Sequence, residues 1–402
     1  MNLKLLTYLT FTLALSCYAF AVGQWKIFPY DLLKEIEHSI KYNYENRNYE
    51  LSQTEKVEGE KYDFGELVDL IGVELTETEL LNSFTLNWGR LSVGSLGKTG
   101  AAELRGNKLW YVNQDAPQLI ETLSLTNKIA GMGGIKAIFS LGNENYAYVV
   151  YIDGNCASAR LVSLSSMNVT LQLPCMPASK ANMDMFGGGW LKISESEILL
   201  STGTPTSEHV DNKINKAAQL DSSLWGKILK LTAKKNTFVV EIFSKGHRNV
   251  QGITRIDGDI IAVEHGPKGG DEVNIVTKGG NYGWPLQSLG SEYSLNEINK
   301  SYIQPITTNL PLLAFTPSIG ISYANVCPLN YIEYYAPQKC VAVSSMHDNA
   351  IYFIIYSGEK VLFTERIEFN SRIRKFFVQN NNIVAVTDFE GVIVGKLMRL
   401  DR

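Results

Sequence analysis

The residues of this chain with the clearest chemical potential lie close together between Ser244 and Pro285. Gly246-His247-Arg248-Asn249 places a cation and an amide beside a glycine, and His265-Gly266-Pro267 forms a turn after an apolar run. The pair Asp271-Glu272 presents two carboxylates after two glycines, and residues 280–285 (GNYGWP) form an aromatic turn. Turns of this kind, between a β run and polar residues, are typical of site loops held on a rigid sheet.

Three motifs in this stretch occur in the same order and at similar spacing in one protein family. They are GHRN-x-QG from Gly246, EHGP-x-x-x-DE-x-N from Glu264, and NYGWP from Asn281. On these motifs the chain resembles the soluble aldose dehydrogenases that depend on pyrroloquinoline quinone (PQQ), the glucose/sorbosone dehydrogenase family, over roughly residues 133–400. The resemblance implies a six-bladed β-propeller and an oxidoreductase that uses PQQ and Ca²⁺.

The resemblance assigns a set of cofactor-binding residues. PQQ carries carboxylates, and arginine binds a carboxylate through two parallel hydrogen bonds. The positions matching those of the family are Arg248, Asn249, Gln251, Arg372 and Arg374. Arginines at i and i+2 on a strand share one face, so Arg372 and Arg374 are expected to reach one ligand. The plain alternative for this arginine pair is a solvated strand face.

The resemblance also assigns two calcium sites, since Ca²⁺ takes carbonyl and carboxylate oxygens. One ion contacts PQQ and is held partly by backbone oxygens that correspond to Gly266 and Pro267. A second, structural ion uses residues that correspond to Asp271, Glu272 and Tyr282. A hydrated turn is the alternative for Asp271 and Glu272.

The chain departs from the family where the proton is removed from the sugar. The family's general base is a histidine, and Phe186 stands at that place, or Met185 if the gap falls otherwise. The aspartate that supports this histidine corresponds to the last residue of Thr202-Gly203-Thr204. A lysine that contacts PQQ corresponds to His347. We therefore expect Arg248 and His347 to be the catalytic residues, with His347 as the base. His209 is the second choice as base. The alternative for His347 is that it is a polar loop residue without a catalytic role.

A repeat of six apolar runs supplies the elements that must position these residues. Each run follows a turn, ends in polar residues and precedes a second β run, at about fifty residues per unit. Such a repeat predicts an all-β chain with four-stranded propeller blades, with a pair of β-sandwiches as the alternative. We expect the runs to be the innermost strands, and the loops after them to form a site at one channel mouth. The runs are Leu109–Val112, Ala147–Val150, Ile198–Ser201, Ile260–Val263, Cys340–Val343 and Ile383–Val386.

The chain divides into three predicted segments. Residues 1–22 are largely apolar and form a cleaved signal peptide or a single membrane anchor. Residues 23–89 form a leader with a short amphipathic helix at Asp31–Tyr44 and a polar linker, and residues 90–402 form the propeller. Both alternatives for the first segment place the rest on the periplasmic or extracellular side, with membrane contact only through that segment.

Four cysteines remain once the exported segment is set aside, and an even number suits an oxidising compartment. The local pairs Cys156–Cys175 and Cys327–Cys340 are our expectation, and free buried thiols are the alternative. The net charge of -4 on 402 residues, without a basic block, excludes nucleic acid as a partner.

Two functions follow from these observations. The first is an exported PQQ- and Ca²⁺-dependent oxidoreductase that oxidises an aldose, or another small polyol or alcohol. It passes electrons to a respiratory acceptor, a quinone or a cytochrome. The second is a catalytically inactive propeller that binds a glycan or a protein partner, and the missing histidine motivates it.

Overall fold

The computed structural model describes residues 77–79, 84–91, 101–105, 108–112, 134–163, 166, 168–204, 213–235, 237–291, 307–369, 371–379, 381–387 and 392–399. All of them belong to one compact unit, Gly59–Arg402. The predicted signal or anchor segment, the leader helix Asp31–Tyr44 and His209 lie outside the described residues. Among the residues described, no helix has the length and apolar character needed to cross a bilayer.

The described strands form six antiparallel sheets, most of them built in chain order. The first strands are β1 (Glu77–Glu79), β2 (Phe84–Leu91), β3 (Ala101–Arg105) and β4 (Lys108–Val112). The next sheet contains β5 (Gly134–Leu141), β6 (Glu144–Asp153), β7 (Cys156–Ser163), β8 (Val169–Gln172) and β9 (Met176–Pro177). It is followed by β10 (Trp190–Lys192), β11 (Glu197–Thr202), β12 (Lys227–Lys234) and β13 (Thr237–Lys245).

The second half of the chain continues the pattern. One sheet contains β14 (Val250–Ile256), β15 (Asp259–Glu264), β16 (Asp271–Ile275) and β17 (Leu313–Phe315). The next contains β18 (Ile321–Val326), β19 (Lys339–Ser345), β20 (Ala350–Ser357) and β21 (Lys360–Glu368). The last strands are β22 (Ile373–Gln379), β23 (Asn382–Thr387) and β24 (Val392–Arg399), and two short helices are α1 (Lys213–Lys216) and α2 (Leu329–Tyr335).

The six sheets are the blades of a β-propeller, which confirms the predicted fold class. The first strand of a blade lies beside the first strand of the next, as β14 does to β18 and β18 to β22. The approach is close, because a Cβ on Gly252 would come within 2.7 Å of Ala324 N. The first strands therefore surround the axis.

The prediction that the six apolar runs are innermost strands is wrong, because each run lies in the second strand of its blade. The second strand is covered by neighbouring blades on both faces, which accounts for its continuous apolar sequence. The first strand faces the channel and carries polar residues such as Gln251 and Arg374. In an antiparallel blade the first strand begins where the second ends, so the predicted site loops still share one end. We call this end the channel mouth; its segments are 183–189, 246–251, 265–270, 346–349 and 371–374.

The last blade is completed by a strand from the N-terminal part of the chain. Strand β2 pairs with β24 along its whole length, from Phe84 opposite Arg399 to Leu91 opposite Val392. The blade order is β22, β23, β24, β2 and β1. This pairing joins the two ends of the propeller sequence. The predicted boundary between a leader at residues 23–89 and a propeller at residues 90–402 is therefore wrong, because residues 77–79 and 84–89 are strands of the last blade.

Apolar clusters between adjacent blades form the core. One cluster joins Phe139 and Tyr148 of one blade to Leu200 and Leu229 of the next, and all four are buried. The described cysteines pair as predicted, Cys156 with Cys175 and Cys327 with Cys340. Burying each large apolar side chain contributes about 1.5–3 kcal/mol, which gives a rigid frame for the loops at the channel mouth.

Candidate functional site

The loop between β13 and β14 begins with a glycine that no other residue can replace easily. Gly246 has φ +76°, and a Cβ there would come 2.3 Å from Asn281 Oδ1. The loop also bonds to the aromatic turn through its backbone, since Trp284 N donates to Gly246 O at 2.9 Å. The GHRN and NYGWP motifs therefore form one packed unit.

A buried polar network fixes the backbone of this loop. His247 is fully buried and its Nδ1 donates to Glu264 Oε1 at 3.0 Å, while its Nε2 lies 2.8 Å from Ser244 Oγ. Its ring stacks on Tyr282 at 4.7 Å between centroids. Glu264 Oε2 accepts a bond from Arg248 N at 2.7 Å. His247 is thus a structural residue that orients the loop.

The guanidinium of Arg248 contacts two other segments of the channel mouth, 265–270 and 183–189. Its Nη1 donates to Gly266 O at 2.6 Å and to His265 O at 3.1 Å. Its Nη2 is 3.8 Å from Met185 Sδ, and Cζ lies 5.3 Å from the centre of the Trp284 ring. The residue is only 8% exposed. Backbone oxygens and an aromatic face therefore hold this cation in one place.

The two amides that follow Arg248 connect it to the segment 183–189. Asn249 Oδ1 accepts bonds from Gly187 N at 3.1 Å and from Gln251 Nε2 at 2.9 Å. Asn249 Nδ2 donates to Asp184 O at 3.3 Å. The structure thus brings Arg248, Asn249 and Gln251 together, as the sequence predicted for a single site.

The place where the family keeps its base holds apolar side chains. Phe186 is fully buried in the core, edge-on to Trp225 at 5.5 Å, so it faces away from the channel mouth. Met185 lies against Arg248 instead. Thr204 Oγ1 donates to Arg248 O at 3.2 Å and accepts a bond from Trp284 Nε1 at 3.0 Å. Neither phenyl nor thioether can take a proton at neutral pH, and the threonine only positions its neighbours.

The remaining predicted cations and His347 lie at another part of the same mouth. Arg372 precedes β22, and its Nη1 donates to Met346 O at 3.2 Å. Arg374 lies at a bulge between Ile373 and Lys375. His347 is exposed on the loop after β19, and its N donates to Ile319 O at 2.9 Å. The arginines are therefore displayed by a loop and a bulge, so the regular strand alternation expected for them does not apply.

The paired carboxylates differ in their surroundings. Asp271 Oδ1 accepts a bond from Gly266 N at 3.1 Å, and Oδ2 accepts one from Ile321 N at 3.0 Å. Burial acts to raise the pKa of Asp271, but His265 and these backbone donors outweigh it, so the pKa is lowered. Glu272 lies opposite Glu264 in the pairing of β15 with β16, and both accept bonds from Asn274 Nδ2. Burial and the Glu264 carboxylate raise the pKa of Glu272 to about 8.

The raised pKa of Glu272 predicts a loss of stability as the pH rises, in the absence of divalent cations. A carboxyl whose pKa is higher in the folded than in the unfolded state stabilises the fold when protonated. That contribution is complete below the unfolded value, near 4.5, and is lost as the pH rises through about 8. We expect the free energy of unfolding to fall by several kcal/mol between pH 5 and pH 9, since one pKa unit is about 1.4 kcal/mol.

Urea denaturation of the wild type and of Glu272→Gln, with chelator present, measures this effect. The glutamine variant keeps an uncharged side chain and should lose most of the pH dependence. Glu359→Gln, at an exposed turn, is the matched control and should follow the wild type. Parallel curves for Glu272→Gln and the wild type would contradict the prediction.

The residues present fit an anionic cofactor better than they fit calcium. A cofactor with carboxylates suits the arginines and amides described above. The Gly266 carbonyl, however, accepts a hydrogen bond from Arg248, so calcium at Gly266 and Pro267 requires that this arginine turns away.

The expected ligands of the second calcium ion are also occupied in part. Tyr282 OH donates to Ile275 O at 2.8 Å and accepts a bond from Thr277 N. Within the described part of the chain, no three His, Cys, Asp or Glu side chains are grouped as a metal site. Buried Glu264 and partly buried Glu272 are nevertheless hard oxygen donors of the kind Ca²⁺ takes.

Three residues of the site were missed by the sequence analysis. Glu264 belongs to the EHGP motif but was not assigned a role, although it is the acceptor that fixes His247 and Arg248. Trp284 covers the Arg248 guanidinium. Lys136 was overlooked, although a lysine within the apolar run GIKAIF is a visible signal in the sequence.

These observations define a class: a six-bladed propeller with a cation- and amide-lined site at one channel mouth. Comparison with known proteins gives the family. A sequence profile described as glucose/sorbosone dehydrogenase matches residues 103–396. The chain belongs to the glucose/sorbosone dehydrogenase family.

Individual relatives agree with this assignment. The chain is 30% identical over 171 residues to aldose sugar dehydrogenase YliI of Escherichia coli, which covers 39% of this chain and 46% of the relative. Matched segments span less than half the length of the curated relatives, between 18% and 46%. A crystal structure of a glucose dehydrogenase superposes with TM-score 0.59 at 21% identity, covering 77% of this chain and 98% of that one. The PQQ-bound aldose sugar dehydrogenase of Streptomyces coelicolor gives TM-score 0.52 at 16% identity over 82% of this chain and 100% of that one. These two structural similarities show that the chains share a fold.

Proposed function

We propose that this protein is a PQQ- and Ca²⁺-dependent oxidoreductase that oxidises an aldose, or another small polyol or alcohol. The observation that carries the proposal is the grouping of Arg248, Asn249 and Gln251 at a channel mouth that also holds Arg372 and Arg374. Membership of a family named for sugar dehydrogenases supports it, as does the PQQ-bound relative of the same fold.

The protein's own residues would bind and orient the two reactants. PQQ, when bound, supplies a quinone that accepts two electrons from the sugar. Arg248 is held by the oxygens of His265 and Gly266, so its position is set before a ligand arrives and little side-chain entropy is lost on binding. Arg372 and Arg374 would bind further carboxylates of the same molecule.

A base at the channel mouth must take the hydroxyl proton of the sugar. His347 is our proposed base because it is exposed at that mouth and follows Met346, whose carbonyl accepts a bond from Arg372. Histidine is the side chain that most often serves as a general base. Arg248 and His347 are thus the proposed catalytic residues.

Calcium is the second proposed cofactor, and Glu272 is the residue whose negative charge it would stabilise most. A cation beside Glu272 and Glu264 would remove the repulsion between these two carboxylates. Adding calcium at pH 9 should then raise the melting temperature of the wild type and leave Glu272→Gln unchanged. Asp271 and Tyr282 complete the proposed ligands of this ion. A second calcium at Gly266 and Pro267 would require Arg248 to leave the Gly266 carbonyl.

The cellular context is also proposed. Two disulfides favour an oxidising compartment, which suits the periplasmic or extracellular side. A signal peptide or an anchor at residues 1–22 would deliver the chain there. The electron acceptor would then be a respiratory quinone or a cytochrome.

A second candidate is a propeller that has lost the reaction and binds a glycan or a protein partner. The side chains of Phe186, Met185 and Thr204, none of which can serve as the base, favour it. Reduction of bound PQQ on adding sugar separates the two, because only the oxidoreductase changes the absorption spectrum of the quinone.

Calorimetric titration of PQQ into the full-length protein with Ca²⁺ present tests the oxidoreductase. We expect binding, and we expect Arg248→Ala to weaken it by about 100-fold, since a charge-assisted pair in a partly buried site contributes about 3 kcal/mol. Arg255→Ala removes an exposed arginine from β14 and is the matched control. A folded wild-type protein that does not bind PQQ at high micromolar concentration would refute the proposal.

A further inference from the structure

Four first strands share the same irregularity near their beginning. In each of them the pairing register with the second strand shifts at one residue, and the residues on both sides of it are paired. In β5, for example, Ile135 pairs with Val149 and Ala137 with Tyr148, so the register shifts at Lys136. The four bulged residues are Lys136, Gln251, Ser322 and Arg374.

A bulge changes the direction in which a side chain leaves its strand. Because the four bulges occur where the first strands begin, they lie at the same level around the axis. Gln251 and Arg374 are already part of the site by resemblance. Ser322 is used internally, as its Oγ donates to Ile373 O at 2.6 Å and lies 2.8 Å from Ser344 Oγ. Of the four bulged residues, Lys136 is the charged one that has no role assigned so far.

The surroundings of Lys136 place it within the channel. A Cβ on Gly188 would come 2.8 Å from Lys136 Cβ, so the glycine run 187–189 leaves room for the lysine beside the segment that replaces the family's base. Lys375 Nζ donates to Lys136 O at 3.4 Å, although these residues are 239 positions apart. The Lys375 side chain of β22 therefore reaches β5 at this level.

The charges that face Lys136 are mostly positive. Asp184 attracts its ammonium group, while Arg374 and Lys375 repel it. Burial is the largest influence, and together these effects lower the pKa of Lys136 to about 8. A partly desolvated ammonium next to two other cations is stabilised by an anion, and a carboxylate is the group that fits.

We propose that Lys136 is an additional ligand-binding residue of this site and binds a carboxylate of the anionic ligand. The proposal rests on the proposed function in taking PQQ as that ligand. Lys136 lies on the bulge level with Gln251 and Arg374, so it would bind the ligand from a third blade.

Calorimetric titration of PQQ, and separately of benzene-1,3,5-tricarboxylate, into Lys136 variants tests this proposal. We expect Lys136→Met to weaken PQQ binding 10- to 100-fold, while Lys136→Arg retains most of the affinity. Lys360→Met, at the exposed first residue of β21, is the matched control and should bind as the wild type does. Thermal unfolding of each variant verifies that it is folded.

A second readout is the number of protons taken up on binding at pH 8, measured in buffers of different ionisation enthalpy. About half of the Lys136 amines are neutral at that pH, and an anion draws them to the charged form, so the wild type should take up about half a proton per bound molecule. Both Lys136→Met and Lys136→Arg should lose this uptake, because methionine does not titrate and arginine stays charged.

The outcomes separate this proposal from the proposed function. PQQ binding with unchanged affinity and proton uptake in Lys136→Met would overturn the role of Lys136 and leave the oxidoreductase standing. Lys136-dependent binding of the tricarboxylate without binding of PQQ would support Lys136 and refute the oxidoreductase. A folded wild type that binds neither probe would overturn both.

Discussion

Replacing Glu264 with alanine is expected to lower the free energy of unfolding by about 4 kcal/mol. The Glu264 carboxylate accepts bonds from His247 Nδ1, Arg248 N and Asn274 Nδ2, and it is only 4% exposed. Its removal leaves His247 Nδ1 and Arg248 N without their acceptor, while Asn274 Nδ2 keeps Glu272, and each such buried donor costs about 1–3 kcal/mol. Relief of the repulsion from Glu272 returns part of this cost. The loss is therefore large for a single substitution.

Chemical denaturation of the wild type and the variant measures the effect. Glu197→Ala is the matched control, since Glu197 forms a half-exposed ion pair with Lys230 and should contribute at most about 1 kcal/mol. We also expect Glu264→Ala to weaken PQQ binding, because the loop carrying Arg248 loses its anchor. Equal stability of the two variants would show that the His247–Glu264 network is dispensable.

Replacing Met185 with histidine is expected to increase the rate of sugar-dependent reduction of bound PQQ by about 100-fold or more. Met185 Sδ lies 3.8 Å from Arg248 Nη2, so an imidazole there would sit at the channel mouth. The nearby guanidinium disfavours a second positive charge and keeps the imidazole neutral, which is the form that takes a proton. The substitution supplies the base that this chain lacks at that segment.

Phe186→His is the informative control for this prediction. Phe186 is fully buried against Trp225 in the core, so a histidine there would lose packing and gain no access to a ligand. We expect it to unfold at a lower temperature, without an increase in rate. Stopped-flow absorbance after mixing PQQ-loaded protein with excess aldose distinguishes the two variants. A faster reaction in Phe186→His than in Met185→His would reverse the assignment of the two positions.

Much of the fold could be predicted from the sequence, because the apolar runs and their spacing reflect blade packing directly. The order of strands within a blade was harder to predict. Runs such as Ile260–Val263 are apolar because two neighbouring blades cover them. An apolar run of this kind does not tell whether the strand is the innermost strand of its blade or the second one.

Site residues that belong to sequence motifs could be predicted. Site residues whose position depends on a β-bulge could not. The GHRN and EHGP motifs located Arg248 and Gly266, whose contact at 2.6 Å no sequence pattern indicates. The bulges at Lys136 and Arg374 are register shifts between two paired strands. The alternation of apolar and polar side chains in the sequence does not indicate where such a shift occurs. Phe186 and Met185 are adjacent, and only packing decides which of them faces the core.

The pairing of β2 with β24 has a consequence for how the protein is made. Phe84–Leu91 leaves the ribosome about 300 residues before its partner Val392–Arg399, which at ~5–20 residues per second is a delay of roughly 15–60 s. During this interval the early strand is an unpaired edge able to join other chains. A chain truncated before residue 392 would therefore lack the strand that pairs with Phe84–Leu91 and would keep this edge open to other chains.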